Sequence, residues 1–443
     1  MPLTDIAMPE PEPIRRRHVT AAVIGNALEF YDFTTYAFFS VAIGQTFFPS
    51  GSGGLTTTEF GSLMASLGTF WAGFLLRPVG GIVIGGYADR VGRRPAMMLS
   101  FTMMGAAILA LALIPSYRAI GVAAPILAVT ARLLQGFALG GEVGPTTAYL
   151  VEAAPERRRG LYASWQSSSQ SIASMVGGGV GVLLAMVLSA SNLDEYGWRI
   201  AFLIGALTLP FGLYIRRSLP ETLHAPDHLP HYDSKKAGVG GVLRDHSRPI
   251  ALGLMIIMGS TVATYVLNYM TTFARVTLHM GASQSFSATL VNGLFGLLAS
   301  LAGGWLADIF GRRKLMIIPR FAFLFAVYPV FMLIVYRHST SALLFGTAAL
   351  SILLNVSAGA FFVGFTESLP KAVRGGIFAT VYATSVAVFG GSTQPFIAWL
   401  THVTGNPMAP SWYLLFATLL SVVAMMMMVE SSPLHMAKPE AAE

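Results

Sequence analysis

The sequence predicts an all-α membrane protein, with twelve transmembrane helices arranged as two pseudo-symmetric six-helix bundles. Three observations predict it. The 443 residues are 54% hydrophobic and only 11% charged, whereas soluble domains carry about 25% charged residues. A soluble fold has room to bury such a core but too little polar surface to clothe it. Apolar runs of about 20 residues recur from end to end, the length that a hydrocarbon layer of about 30 Å demands of a helix. Finally, two unrelated polar motifs each occur twice, in the same order. Gly85-x-x-x-Asp89-x-x-Gly92-Arg93-Arg94 returns as Gly304-x-x-x-Asp308-x-x-Gly311-Arg312-Arg313, and the stretch from Glu152 to Arg159-Gly160 returns as Glu367 to Arg374-Gly375. The offsets, 219 and 215 residues, are nearly equal, so the chain reads as two similar halves.

Inside a bilayer every peptide group needs an internal partner, so the runs are expected to be helices. The two-residue alternation of a membrane barrel is absent. There is no cysteine, which removes disulfides and thiolate metal sites from consideration.

In chain order, spans are expected at 19–47, 57–86, 95–115, 120–152, 160–190, 197–217, 248–277, 284–307, 314–336, 341–369, 376–404 and 410–429. Residues 1–18 form an acidic, Pro-rich tail ending near Arg15-Arg16-Arg17. No small-residue cleavage site follows a short apolar core there, so the tail does not read as a removed signal peptide. Residues 19–217 are the first bundle, 218–247 a linker, 248–430 the second bundle and 431–443 a C-terminal tail. The linker holds Pro220, Pro226, Pro230 and a Gly-rich stretch at 238–241, without apolar periodicity. Its His224, His228 and His231 are read as solvated, and no metal site is expected.

Basic residues set the orientation. With the N-terminus inside, 21 of the 28 Lys and Arg fall on the inner side and four on the outer side, and three lie within spans. That asymmetry places both termini in the cytoplasm. The net charge of +7 is therefore a topology signal, and nucleic acid is not an expected partner.

Chemistry is sought where polarity survives at depth, because an ionised side chain at mid-bilayer costs about 2.5–3.5 kcal/mol or more. The first span carries Asn26, Glu29 and Asp32, spaced by three along one side of a helix. The second carries Arg77, 12 residues from Asp89. The fourth carries Arg132, Gln135 and Glu142. In the second half only Arg320 is deep, and its place six residues past Lys314 suggests snorkelling to the surface. Deep charge is thus expected only in the first half. Two buried arginines supply planar donor forks suited to carboxylates. Burial favours a neutral carboxyl and a nearby guanidinium favours a carboxylate, so Glu29 and Asp32 can act as proton switches. A permanent Asp32–Arg132 pair that only stabilises the bundle is the competing reading.

Gly136, Gly140 and Gly144 form a stripe that admits a neighbouring helix, and Gly177-Gly178-Gly179 is read as packing rather than as a nucleotide loop. Gln166 and Gln170 in the fifth span, Tyr265, Asn268 and Tyr269 in the seventh, Asn355 in the tenth and Tyr382 in the eleventh are candidates to line a shared polar cavity. Gly390 to Pro395 should bend the eleventh span. At the inner ends, Gly85, Asp89, Arg93, Asp308, Gly311 and Arg312 are gating candidates. Glu152 with Arg159 and Glu367 with Arg374 are expected latch pairs. No phosphate-cradling Gly-x-x-x-x-Gly-Lys-Ser/Thr and no His-Glu-x-x-His occurs, so an enzyme is not expected.

The duplicated Gly-x-x-x-Asp-x-x-Gly-Arg-Arg pattern and the Arg132-x-x-x-Gly136-x-x-x-Gly140 fourth span resemble the major facilitator superfamily. Within it, Gly25-Asn26-Ala27-Leu28-Glu29-Phe30-Tyr31-Asp32-Phe33, Phe47-Phe48-Pro49, Leu76-Arg77-Pro78-Val79-Gly80, Gly140-Gly141-Glu142 and Ser164-Trp165-Gln166 resemble the metabolite:proton symporters. Stretches 132–154, 165–170 and 389–395 are most similar to the citrate and tricarballylate branch. The resemblance spans about residues 18 to 430. It implies the major facilitator fold and alternating access, with the first, fourth, seventh and tenth spans facing the cavity. It also implies proton coupling through Asp32 and Arg132. The second motif departs from the first at Ile309 and Phe310, where the first has Arg90 and Val91, so its latch is expected to be weaker or differently partnered, with closure resting mainly on the first half.

The expected activity is proton-driven uptake of an organic anion, a tricarboxylate such as citrate or tricarballylate, across a bacterial inner membrane. Arg77 and Arg132 are expected to meet its carboxylates. A dicarboxylate, an aromatic acid or a zwitterionic osmolyte remains open as substrate, and sodium as coupling ion. No cofactor is implied, and the chain is expected to act as a monomer.

Overall fold

The computed structural model describes residues 16–51, 54–91, 93–140, 150, 154–207, 209–210, 212, 247–368 and 374–428. The expected linker falls outside these residues except for Ser247, as do Glu142, Gly144 and Glu152. The backbone is described at Glu29, Gly85, Asp89, Arg93 and Arg374, but their side chains are not.

Among the described residues every one of the twelve expected spans contains helix. The first runs as Arg16–Phe38 and Ser40–Phe47, interrupted at Phe39. The second runs as Glu59–Leu75 and Arg77–Val91. Its break has a local cause: Pro78 lacks an N–H and its ring crowds the carbonyl four residues back. Thr58 opens this span by accepting a hydrogen bond from the Gly61 N–H at 3.0 Å, an N-cap that satisfies one free donor. The third and fourth are Arg93–Leu113 and Ala123–Leu139. The fifth is Arg159–Val187, and the sixth is Trp198–Leu207, entered through a π turn at Leu193–Gly197.

The second half is built from longer pieces: Ser247–Val276, Ala282–Phe310, Arg312–Arg337 and Thr340–Glu367. The eleventh span is Arg374–Ser385 and Gly391–Thr404, joined by a π turn at Val386–Gly390. The irregularity expected near Gly390–Pro395 therefore falls one turn earlier. The twelfth is Ala409–Met426. Seven helices among the described residues are long and apolar enough to cross a membrane as single pieces. Large apolar side chains such as Val187, Ile82 and Phe325 lie on the outside, at 80, 77 and 68% exposure, which suits a lipid surface.

Glycine sets how closely the helices pack. A Cβ on Gly136 would sit 1.7 Å from the carbonyl oxygen of Gly73, and one on Gly140 would sit 1.9 Å from that of Arg77. The fourth-span stripe thus admits the second span. Across the halves, a Cβ on Gly178 would lie 2.4 Å from the Leu290 nitrogen, and one on Gly293 would lie 2.2 Å from that of Met175. The fifth and eighth spans therefore touch backbone to backbone. Near-contact of this kind is how helices associate where solvent supplies no hydrophobic drive.

Candidate functional site

The first and fourth spans bring Asp32 and Arg132 together. Arg132 Nη1 donates to Asp32 Oδ2 at 3.0 Å and to Gln135 Oε1 at 2.5 Å. The guanidinium is fully buried and Asp32 is 1% exposed. Its flat faces are occupied by rings: the guanidinium carbon lies 4.4 Å from the centroids of Phe33 and of Tyr36. Arg77, lifted into the site by the break before Pro78, lies 4.4 Å from the same Phe33 ring and 4.1 Å from Phe74. Two cations thus share one aromatic side chain, an arrangement stabilised by the negative face of the ring. Asn26 ties the first span to the fifth, donating from Nδ2 to Ser169 Oγ at 2.5 Å.

Beside this cluster, between the halves, lies a cavity walled by residues of both bundles. Of the residues expected to line it, Gln170, Tyr265, Asn268, Asn355 and Tyr382 do so. Gln170 Nε2 donates to the Tyr382 hydroxyl at 3.3 Å, joining fifth and eleventh spans across the interface. Asn292 donates to Asn268 Oδ1 at 3.2 Å. The other candidates, Asn26, Arg77, Arg132, Gln135, Gln166 and Tyr269, are buried away from its wall. Phe33 and Phe70 form the wall on the side of the ion pair, so Asp32 and Arg132 stand one ring behind the chamber.

Ser167, in the hydrophilic turn from Trp165 to Gln170, lines the cavity, and so do Ser171 and Ser174, which escaped the sequence reading although the four-then-three spacing of one helical face is present in the sequence. Thr261, Thr264 and Asn292 also line it; Thr261 follows Ser260 and Thr264 precedes Tyr265, whereas Asn292 stands singly between Val291 and Gly293.

Arg320 requires a correction. It does not snorkel: it is fully buried. Nη2 donates to Ser260 Oγ at 2.8 Å, and Nε donates to Ser357 Oγ at 3.4 Å. Depth alone had suggested escape to the surface. The helical phase turns the side chain toward the seventh and tenth spans instead, so deep charge is present in both halves.

At the end carrying the repeated motifs, the second-half copy makes a complete contact across the halves. Asp308 Oδ1 accepts from the Gly160 N–H at 2.8 Å and Oδ2 from the Leu161 N–H at 3.0 Å. These are free donors of the first turn of the fifth span, where a carboxylate is favoured. Arg312 pairs with Asp308 at 2.8 Å and with Glu367 at 3.3 Å. Arg159 approaches Glu367 at 3.9 Å, so the described partners of Glu367 include a basic residue of each half. Gly311, at φ 96°, makes the turn that only glycine takes easily. Ile309 and Phe310 point outward at 47 and 55% exposure, while Asp308 and Arg312 are buried. The Asp89 and Arg93 side chains of the first copy lie outside the described residues, and the expected difference in strength between the two latches falls outside them too. At the opposite end the halves meet through Arg275–Asp194 at 2.9 Å and Ser40–Thr272 at 3.2 Å.

The family profile described as Major Facilitator Superfamily matches residues 22–392. A citrate-proton symporter of Klebsiella pneumoniae is 36% identical over 401 residues, covering 90% of this chain and 88% of that one. A glycine betaine/proline/ectoine/pipecolic acid transporter of Dickeya dadantii is 31% identical over 441 residues, covering 97% and 86%. Among solved structures, a xylose transporter from E. coli, in a partially occluded inward open conformation, superposes with a TM-score of 0.71. It shares 17% identity, with 94% of this chain and 98% of that one covered. Fold and relatives alike are those of membrane carriers and not of enzymes, and the chain belongs to the major facilitator superfamily.

Proposed function

We propose that this carrier takes up an organic anion, a tricarboxylate such as citrate or tricarballylate, together with a proton across a bacterial inner membrane. Both termini lie in the cytoplasm, as the distribution of Lys and Arg requires. The observation that carries the reading is the fully buried Asp32–Arg132 pair, set one aromatic ring behind a chamber between the halves. The citrate-proton symporter similarity supports the choice of substrate.

The coupling follows from electrostatics. Removing one partner of a buried ion pair costs about 3–5 kcal/mol, because the other charge is left uncompensated. Protonating Asp32 removes its charge and strands Arg132. A substrate carboxylate can restore the balance, so proton and anion bind more readily together than either binds alone. Arg77 offers a second fork on the same side. Phe33 and Phe70 are the barrier, and a change in the Phe33 side-chain torsion admits the carboxylate to both cations.

In proteoliposomes, Asp32→Asn should abolish accumulation of labelled citrate driven by a pH gradient while leaving citrate counterflow between equal pH compartments. Equal loss of both activities would make the pair a structural strut.

A zwitterionic osmolyte is favoured by a different observation: no charged side chain lines the cavity among the described residues, and its wall includes Phe30, Phe361 and Phe362. A quaternary ammonium suits such rings. Excess glycine betaine in the citrate assay separates the two: loss of citrate uptake to betaine competition, with labelled betaine accumulated, would favour the osmolyte.

A further inference from the structure

Arg320 is a fully buried guanidinium that the coupling scheme above does not use. Among the described residues no acidic side chain pairs with it. Among those residues its hydrogen bonds go to the hydroxyls of Ser260 and Ser357, and its Nη1 meets no hydrogen-bond partner there. One aromatic ring, that of Phe323, stands 5.9 Å away, at the edge of the useful range for a cation. A buried cation left without a counter-charge is unfavourable. It persists where something supplies an anion during the working cycle.

The surroundings indicate where that anion arrives. Ser260 is part of the cavity wall, and Asn355 and Ala358, which flank Ser357 in the tenth span, also line it. Arg320 therefore stands one hydroxyl behind the second-half wall, as Arg132 stands one ring behind the first-half wall. Ser260 Oγ accepts from Arg320, which leaves its O–H to donate to a solute in the chamber, and a hydroxyl held by a guanidinium is a polarised donor.

We propose that Arg320, with Ser260, is a second anion-recognition point, taking one carboxylate of a di- or tricarboxylate while another faces the Arg77–Arg132 side. The proposal rests on the reading of the protein as an organic-anion carrier and goes beyond it by naming what measures substrate valence. Two cationic points on opposite walls suit a polyanion and discriminate against molecules carrying a single carboxylate. A zwitterion such as betaine would place its ammonium group against one of the two arginines.

The test uses full-length purified protein at constant ionic strength, with ligand-dependent thermal shifts titrated for citrate, 2-oxoglutarate and glycine betaine. The wild type, Arg320→Gln and Ser260→Ala are compared. The expected result is that Arg320→Gln raises the half-saturating concentration of the anions by tenfold or more, and Ser260→Ala raises it by a smaller factor. The melting temperature without ligand should be unchanged or higher in Arg320→Gln, because an uncompensated charge has been removed. Should Arg320→Gln fail to fold, Ser260→Ala carries the test, since it keeps the charge and removes only the hydroxyl facing the chamber. Wild-type and variant proteins responding to citrate and 2-oxoglutarate at the same concentrations would overturn the role of Arg320 and leave the transport reading standing. A wild type stabilised by betaine and by neither anion would overturn both.

Discussion

Phe33 is the side chain on which the first-half charges converge. Its ring carries Arg132 at 4.4 Å and Arg77 at 4.4 Å, and its edge meets Phe74 with centroids 5.2 Å apart. Each buried cation–ring contact is worth about 0.5–2 kcal/mol. Phe33→Leu keeps an apolar side chain but removes the ring for both. It should lower the apparent melting temperature by a few degrees. It should also let protons enter citrate-free proteoliposomes, because the wall between Asp32 and the chamber is thinned. An internal pH dye reads the second effect, and a dye trace identical to wild type would remove Phe33 from the barrier. Phe33 was not legible in the sequence, since one phenylalanine among 29 carries no mark of which cation it will meet. Asp32 and Arg132 were legible, because ionised groups in apolar runs are costly enough to advertise themselves. Arg320 was legible as a deep charge but misread in direction. Six residues from Lys314 fix its depth at about 9 Å along a helix, whereas azimuth depends on which neighbours the ninth span finds.

Helix packing turns on glycine pairs whose spacing, but not whose partners, the sequence displayed. The stripe at Gly136 and Gly140 predicted a close neighbour. Only the fold reveals that the neighbour is the second span, with the Gly73 and Arg77 carbonyls against it. This contact fixes more than stability, because the backbone of Arg77 is part of it and Arg132 lies one turn before Gly136. Gly136→Ala places a methyl 1.7 Å from the Gly73 oxygen, so the two helices must separate. Overpacking of this kind costs about 1–3 kcal/mol, and here the shift also pulls Arg77 away from Arg132. Lower melting temperature and weaker citrate binding should therefore appear together. Gly68→Ala is the internal control: nothing lies within 4 Å of its added carbon, so both quantities should hold. Gly136→Ala binding citrate as tightly as wild type would separate packing from the site. The helix limits themselves were largely readable from apolar length. The break at Phe39 was not, because the helix on either side is apolar enough to hide it; the break at Leu76 had its signal in Pro78, which the apolar length of the run outweighed.

Alternating access requires that contacts at the two ends of the molecule compete. The motif end is held by Asp308 on the first turn of the fifth span, with Arg312 and Glu367 behind it. The opposite end is held by Arg275–Asp194. Hydrogen bonds to a charged group are worth about 1.5–3 kcal/mol each, and Asp308 makes two across the halves. Its loss should therefore shift a two-state balance by at least about tenfold toward separation at the motif end. A single reporter suffices, because the chain contains no cysteine of its own. Ser300 is fully buried between the halves, hydrogen-bonded to Ser167, and Ser300→Cys is nearly isosteric. A membrane-permeant maleimide should label it slowly in the otherwise native chain. Labelling should be on the order of tenfold faster once Asp308→Ala is added, and slower once Arg275→Ala is added, since weakening the far end favours closure at the motif end. Unchanged labelling in both backgrounds would mean that the fifth and eighth spans stay together throughout the cycle. Equal acceleration in both would mean general loosening. Opposite responses are what two competing latches on one rocking interface require.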